Sequence, residues 1–242
     1  MKRMLAFIDE RAPRDAVSAL VLRGFYPVLL PPYSALGGAV ASHTDMLIFR
    51  AGGTLIFHAD YCCEHEERVK LIRELTKDAG LALRFISERA ESKYPRDALL
   101  NALVMGNTVF CKTDTVAPAI LEYAEAAGLR TVHVNQGYPA CTVLKLSDTA
   151  AITSDRGMAR ALEGEGIRTT LISEGGIALP PYEHGFIGGA GGVFRDTVYF
   201  VGKIESHPSY NIIRKAAERE GLATVSLGSG GLLDVGGILF TD

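Results

Sequence analysis

The strongest constraint on the fold is a unit that occurs five times along the chain. Each copy opens with a short strand-like run: Leu5–Ile8, Thr54–Phe57, Thr108–Phe110, Thr149–Ile152 and Thr197–Phe200. Four of these runs lead to an aspartate: Asp9, Asp60, Asp114 and Asp155. A stretch with helical spacing follows. Val69, Ile72, Leu75 and Ala79 mark it in the second copy, and Val116, Ile120, Ala124 and Ala127 in the third. Each stretch ends at a glycine before an apolar residue: Gly24-Phe25, Gly80-Leu81, Gly128-Leu129, Gly166-Ile167 and Gly221-Leu222. A second strand comes next, at Tyr26–Leu30, Ala82–Ile86, Thr131–Val134, Thr169–Ile172 and Ala223–Leu227. After a loop there is a third, at Met46–Phe49, Ala102–Met105, Thr142–Leu146, Gly192–Phe194 and Ile238–Phe240.

The physics of the unit is consistent from copy to copy. Aspartate at a strand-to-helix junction can accept from the free N–H groups of the first helical turn, so Asp9, Asp60, Asp114 and Asp155 are expected as caps. Glycine after a helix takes the left-handed conformation that closes its C-terminus. The fifth copy departs, with Lys203 in place of the aspartate; Ser206, ahead of Pro208, is expected to start its helix. An open stack of such units needs polar capping repeats, and neither end reads as one. The last strand, Ile238–Phe240, lacks a following partner, and Leu5–Ile8 can supply it. The expectation is an α/β fold in which ββαβ-like repeats form a pseudo-fivefold ring. The ring is a single domain over residues 1–242, with repeats at 1–50, 51–106, 107–147, 148–195 and 196–242.

Composition excludes several classes. A net charge of −3 with no polybasic block argues against nucleic acid as a partner. The first apolar stretch, Leu5–Ile8, is too short for a signal peptide or a membrane span. Four cysteines, two of them adjacent, make no disulfide framework, which points to a reduced, cytoplasmic protein. Cys62-Cys63-Glu64-His65 matches no common zinc spacing. The glycine run 188–192 is not a G-x-G-x-x-G turn opening a helix. No metal and no cofactor are therefore expected, and the oligomeric state is left open.

Five ββαβ-like units in a ring resemble the pentein fold. This is the five-bladed β/α propeller of the guanidino-group-modifying enzymes and of a non-enzymatic ribosomal anti-association initiation factor. Gly185–Gly192, Asp234–Ile238, Pro95–Asn101 and Ile152–Asp155 resemble stretches in uncharacterised bacterial proteins ascribed to that fold. The resemblance implies that the loops before each third strand converge on a central channel. Aligned by their third strands, the repeats put Asp45, Asn101, Cys141, Ala190 and Gly236 or Gly237 in corresponding places. His43, Asp97, Tyr138, Glu183, His184 and Asp234 lie just upstream.

The guanidino enzymes use a last-blade cysteine as nucleophile, a histidine to move protons and carboxylates to grip the guanidinium. By that resemblance His184 falls at the histidine position. Asp45, Asp97 and Asp234, with Asn101, are candidate ligand-binding residues, and Gly189 provides tight backbone beside the channel. The last blade carries Gly236-Gly237 and no cysteine, so Cys141 is the only thiol placed to act, as a relocated nucleophile. Nearby donors are expected to favour its thiolate. The leading reading is a small polar ligand, guanidino or amino-acid-like, bound in the channel, with hydrolase or transferase chemistry through Cys141 and His184. The competing reading is a non-catalytic interaction protein on the same fold. Each candidate also has a structural alternative: a buried inert thiol, loop-bonding carboxylates and a backbone-bonding histidine.

Overall fold

Five apolar runs become the central strands of five three-stranded sheets, because each is short, nearly all apolar and covered on both faces. The structure is a computed structural model that describes residues 3–241. The chain begins β1 (Met4–Asp9), α1 (Arg14–Leu22), β2 (Phe25–Leu30), α2 (Thr44–Leu47) and β3 (Ile48–Ala51). It continues β4 (Thr54–His58), α3 (Ala59–Glu64), α4 (Glu66–Asp78), β5 (Ala82–Ile86) and β6 (Leu103–Met105). Next come β7 (Thr108–Cys111), α5 (Pro118–Ala126), β8 (Arg130–His133), α6 (Pro139–Thr142) and β9 (Val143–Ser147). The fourth sheet brings β10 (Ala150–Thr153), α7 (Arg156–Gly164) and β11 (Arg168–Leu171), followed by β12 (Ile177–Ala178) and β13 (Gly191–Phe194). The chain ends with β14 (Thr197–Val201), α8 (Tyr210–Arg219), β15 (Ala223–Leu227), β16 (Leu232–Leu233) and β17 (Leu239–Thr241).

The sheets are mixed and share one order: β17-β1-β2, β3-β4-β5, β6-β7-β8, β9-β10-β11 and β13-β14-β15. In each, the central strand pairs antiparallel with the first strand named and parallel with the last, which returns through a helix. The expected pairing of the two ends is present: Leu5, Ala6 and Phe7 lie opposite Thr241, Phe240 and Leu239. β12 and β16 form a small parallel pair. Leu5, Ala6, Phe7 and Ile8 are fully buried, whereas the outer strand β8 is mostly exposed. No helix among the described residues is long and apolar enough to cross a membrane.

The helix ends follow the sequence pattern. Gly24, Gly80, Gly128, Gly166 and Gly221 all have positive φ, between 67° and 84°. After α4, Gly80 N–H donates to Lys77 O and Leu81 N–H to Thr76 O, a Schellman closure. The helix starts do not follow the pattern. Only Asp155 caps, accepting from Gly157 and Met158 N–H at the start of α7. Asp9 instead accepts from Arg11, and α1 begins later, after Pro13. Asp60 lies within the first turn of α3 and pairs with Arg89, while Asp114 pairs with Lys112 ahead of α5. Ser206 ends a 3-10 turn, and α8 starts after Ser209. At Asp9 and Asp114 the carboxylate is captured by a cation two residues away, where the chain turns before the helix begins.

Candidate functional site

The segments that precede the five inner strands meet. Short helices α2 and α6 end directly in β3 and β9, and carry Asp45 and Cys141 within the last turn before those strands. A hydrogen-bonded circuit runs through all five segments. Asp45 N–H donates to Gly236 O at 3.1 Å, and Asn101 Nδ2 reaches Asp45 O at 3.5 Å. Asn101 Oδ1 accepts from Ala140 N–H at 2.9 Å, and its Nδ2 donates to Cys141 Sγ at 3.2 Å. Gly189 N–H donates to Cys141 O at 3.0 Å, and Val235 N–H to Gly189 O at 2.9 Å.

Cavities open on the circuit. One of about 580 Å³ is lined by residues of all five inner strands, among them Ile48, Leu103, Leu144, Val193 and Leu239. Another, of about 340 Å³, holds most of the chemistry. Asp97, Asp234, Cys141, His184, His43, Tyr138 and Glu183 line it, together with the apolar Val40, Met46, Leu179 and Phe186 and the aromatic Tyr182.

Of the expected residues, Asp97, Cys141, His184 and Asp234 share this smaller cavity. Asp45 lines the larger one. Its carboxyl oxygens are nevertheless buried, without a geometrically complete hydrogen bond, against the Cys141 thiol and the Asn101 amide. Asn101 and Gly189 stand behind the wall and hold it. Gly189 has no room for a side chain, since a Cβ there would meet Asp234 Oδ1 at 1.9 Å. Asp234 in turn accepts from Phe186 N–H at 2.8 Å and Gly236 N–H at 3.0 Å, which pins the loop carrying His184.

Electrostatics set the protonation of the site. Burial raises Asp97, opposed by the Tyr138 hydroxyl, which donates to Oδ2 at 2.9 Å. Asp97 Oδ1 is buried without a hydrogen-bond partner among the described residues. Burial also raises Asp234, against the pull of His43, whose Nδ1 lies 3.7 Å from Asp234 Oδ1. Burial lowers His43, so its imidazole favours the neutral form. Asp45 is held well above the usual carboxylate range by burial and by Asp234. Cys141 is pushed far up by burial and then by Asp45 and Asp234. That corrects the expectation of a thiolate favoured by its donors: the single Asn101 donor is outweighed by burial and two carboxylates.

Sequence reasoning placed His43 and Tyr138 near the channel without giving them partners. It missed the apolar wall of Met46, Leu179 and Phe186 altogether. The signal for His43 was its place two residues before Asp45; the wall residues, ordinary apolar side chains in the short helix α2 and in loops, gave none.

A family model described as a family of unknown function (DUF6873) matches residues 7–239. No curated protein matches the sequence. Among solved structures, dimethylarginine dimethylaminohydrolase from Pseudomonas aeruginosa, a cysteine-to-serine mutant complexed with citrulline, is 13% identical with a TM-score of 0.57, over 95% of this chain and 96% of that one. C. jejuni agmatine deiminase is 9% identical with a TM-score of 0.58, over 99% and 93%. Inosamine-phosphate amidinotransferase from Streptomyces griseus is 15% identical with a TM-score of 0.55, over 90% and 77%. Likeness at such identities shows that the chain shares the fold of these three proteins, and fold alone does not assign function.

Proposed function

The chain belongs to that family of unknown function, and on that premise we propose that it binds a small organic cation in its 340 Å³ cavity. The cavity would lie on the axis of a single-domain, five-bladed β/α propeller with repeats at residues 1–50, 51–106, 107–147, 148–195 and 196–242. The shared sheet order, the β1–β17 pairing and the five-segment hydrogen-bond circuit support that architecture. Four free thiols fit a reducing, cytoplasmic setting.

The observation that carries the ligand reading is Asp97. A buried carboxylate oxygen with no partner is unfavourable by about 1–3 kcal/mol or more. A guanidinium or ammonium donor beside it relieves that penalty through a charge-assisted hydrogen bond. Polar groups lining an open cavity favour this over the non-catalytic interaction reading, which calls for a plugged centre.

Hydrolase or transferase chemistry is the finer reading. Cys141 and His184 line the same cavity. Attack by the thiolate on an electrophilic guanidinium carbon would form a C–S bond, a C–N bond would break as His184 protonates the departing amine, and water or an acceptor amine would then displace the thiolate. The raised thiol then requires the bound cation itself to lower its pKa. Calorimetric titration with a panel of guanidinium and amine compounds tests the binding step. We expect a binder that loses at least about tenfold in affinity in Asp97→Asn, the loss of one charge-assisted hydrogen bond. Equal affinity in the variant, or no binder in the panel, overturns the reading.

A further inference from the structure

We infer that the ligand is a cation without a carboxylate, an alkylamine or alkylguanidine with an apolar body rather than an amino acid. The inference rests on the cation-binding reading above and narrows it by the charges that face the cavity.

Three acidic side chains line it: Asp97, Asp234 and, at the exposed rim, Glu183. No lysine or arginine is among the described lining residues. An amino acid brings a carboxylate that needs a cation or an array of free donors when it leaves water. Neither is at hand. The arginine whose field reaches His43 is Arg11, and its guanidinium is committed to Asp9 and to the Gly38 and Ala39 carbonyls. His43 is buried, favours the neutral form and faces Asp234. The backbone N–H groups of Phe186 and Gly236 are already taken by Asp234. His184 and the Tyr182 hydroxyl are the side-chain donors left to meet a carboxylate, and both flank Glu183 in the sequence.

The rest of the wall suits the other half of such a ligand. Met46, Leu179 and Phe186 offer an apolar surface for a methylene chain, and Tyr138 and Tyr182 offer ring faces to its cationic head. Acidic and aromatic groups without a cation form a site selective by charge, since an added carboxylate meets like charge and gains no partner.

Two ligand pairs test this, each differing by one α-carboxylate: agmatine against arginine, and putrescine against ornithine. Titration of the full chain is expected to give at least tenfold tighter binding for the carboxylate-free member of the pair that binds. Arginine methyl ester, which keeps the bulk and loses the charge, is expected to recover most of the difference. Arginine or ornithine binding as tightly as its partner, with Asp97→Asn still weakening it, overturns this inference and leaves the cation site standing. An ester as weak as arginine also overturns it, because size rather than charge then discriminates. No binding by any of the five compounds overturns both readings.

Discussion

Cys141 is governed by its neighbours rather than by its residue type. The residue is 5% exposed, and its thiol lies against the Asp45 carboxyl and receives one donor, Asn101 Nδ2. Cys63, by contrast, is exposed. Thiolate is the reactive species, so iodoacetamide should label Cys63 first and Cys141 slowly in the ligand-free protein. In alkaline buffer, where the raised Asp45 carboxyl is ionised, Asp45→Asn removes a nearby charge while keeping its shape, and should speed Cys141 labelling by about tenfold, the effect of lowering a thiol pKa by about one unit. Peptide mass spectrometry of a labelling time course reads both. Cys141 labelling ahead of Cys63, or at a rate indifferent to Asp45→Asn, contradicts the electrostatic account. At this scale the sequence located Cys141, Asn101 and Asp45 because equivalent repeat positions share one centre. It could not show that two carboxylates and burial would dominate one donor, since those distances exist only after folding.

Among the elements, the loop from His184 to Gly189 is held by close backbone approach. A Cβ at Gly189 would overlap Asp234 Oδ1, and one at Gly185 would come within 2.5 Å of Asp234 Cβ. Gly189→Ala must therefore displace Asp234 from Phe186 and Gly236. The expected result is a fall of at least about 2 °C in the melting temperature, from overpacking of about 1–3 kcal/mol, together with weaker cation binding. Gly230, with open space around its Cβ position and no positive φ, is the control, and Gly230→Ala should leave both unchanged. Equal behaviour of the two variants refutes the pinning role of Asp234. The elements also show which signals are local. Glycine after a helix was readable because the need for positive φ is met within the turn itself. The aspartates before helices misled because Asp9 and Asp114 are claimed by Arg11 and Lys112 before any helical N–H is presented.

For the molecule as a whole, the pairing of β1 with β17 joins residues from opposite ends of the described chain. Phe240 sits in an aromatic cluster with Phe25, Phe194 and Tyr199, at centroid distances of 4.8, 5.6 and 5.3 Å, and so ties the first sheet to the last. Deleting residues 238–242 removes that ring and exposes the edge of β1. Loss of a buried phenylalanine alone is destabilising by about 3–5 kcal/mol, so the melting temperature should drop by at least about 6 °C. Terminal residues that fray change it little, and a shift of a degree or two contradicts closure by this strand. The repeat was legible because five copies of one local pattern reinforce each other. The hydrogen-bond circuit was not, because it joins residues tens of positions apart through backbone groups that carry no sequence signature.

The central claim is that Asp97 and Asp234 receive an organic cation, and a crystal structure of the protein with agmatine tests it most directly. The account predicts a guanidinium nitrogen within about 3.2 Å of Asp97 Oδ1, with the methylene chain against Met46, Leu179 and Phe186. Agmatine seated elsewhere, with the Asp97 oxygen still unpartnered, contradicts it.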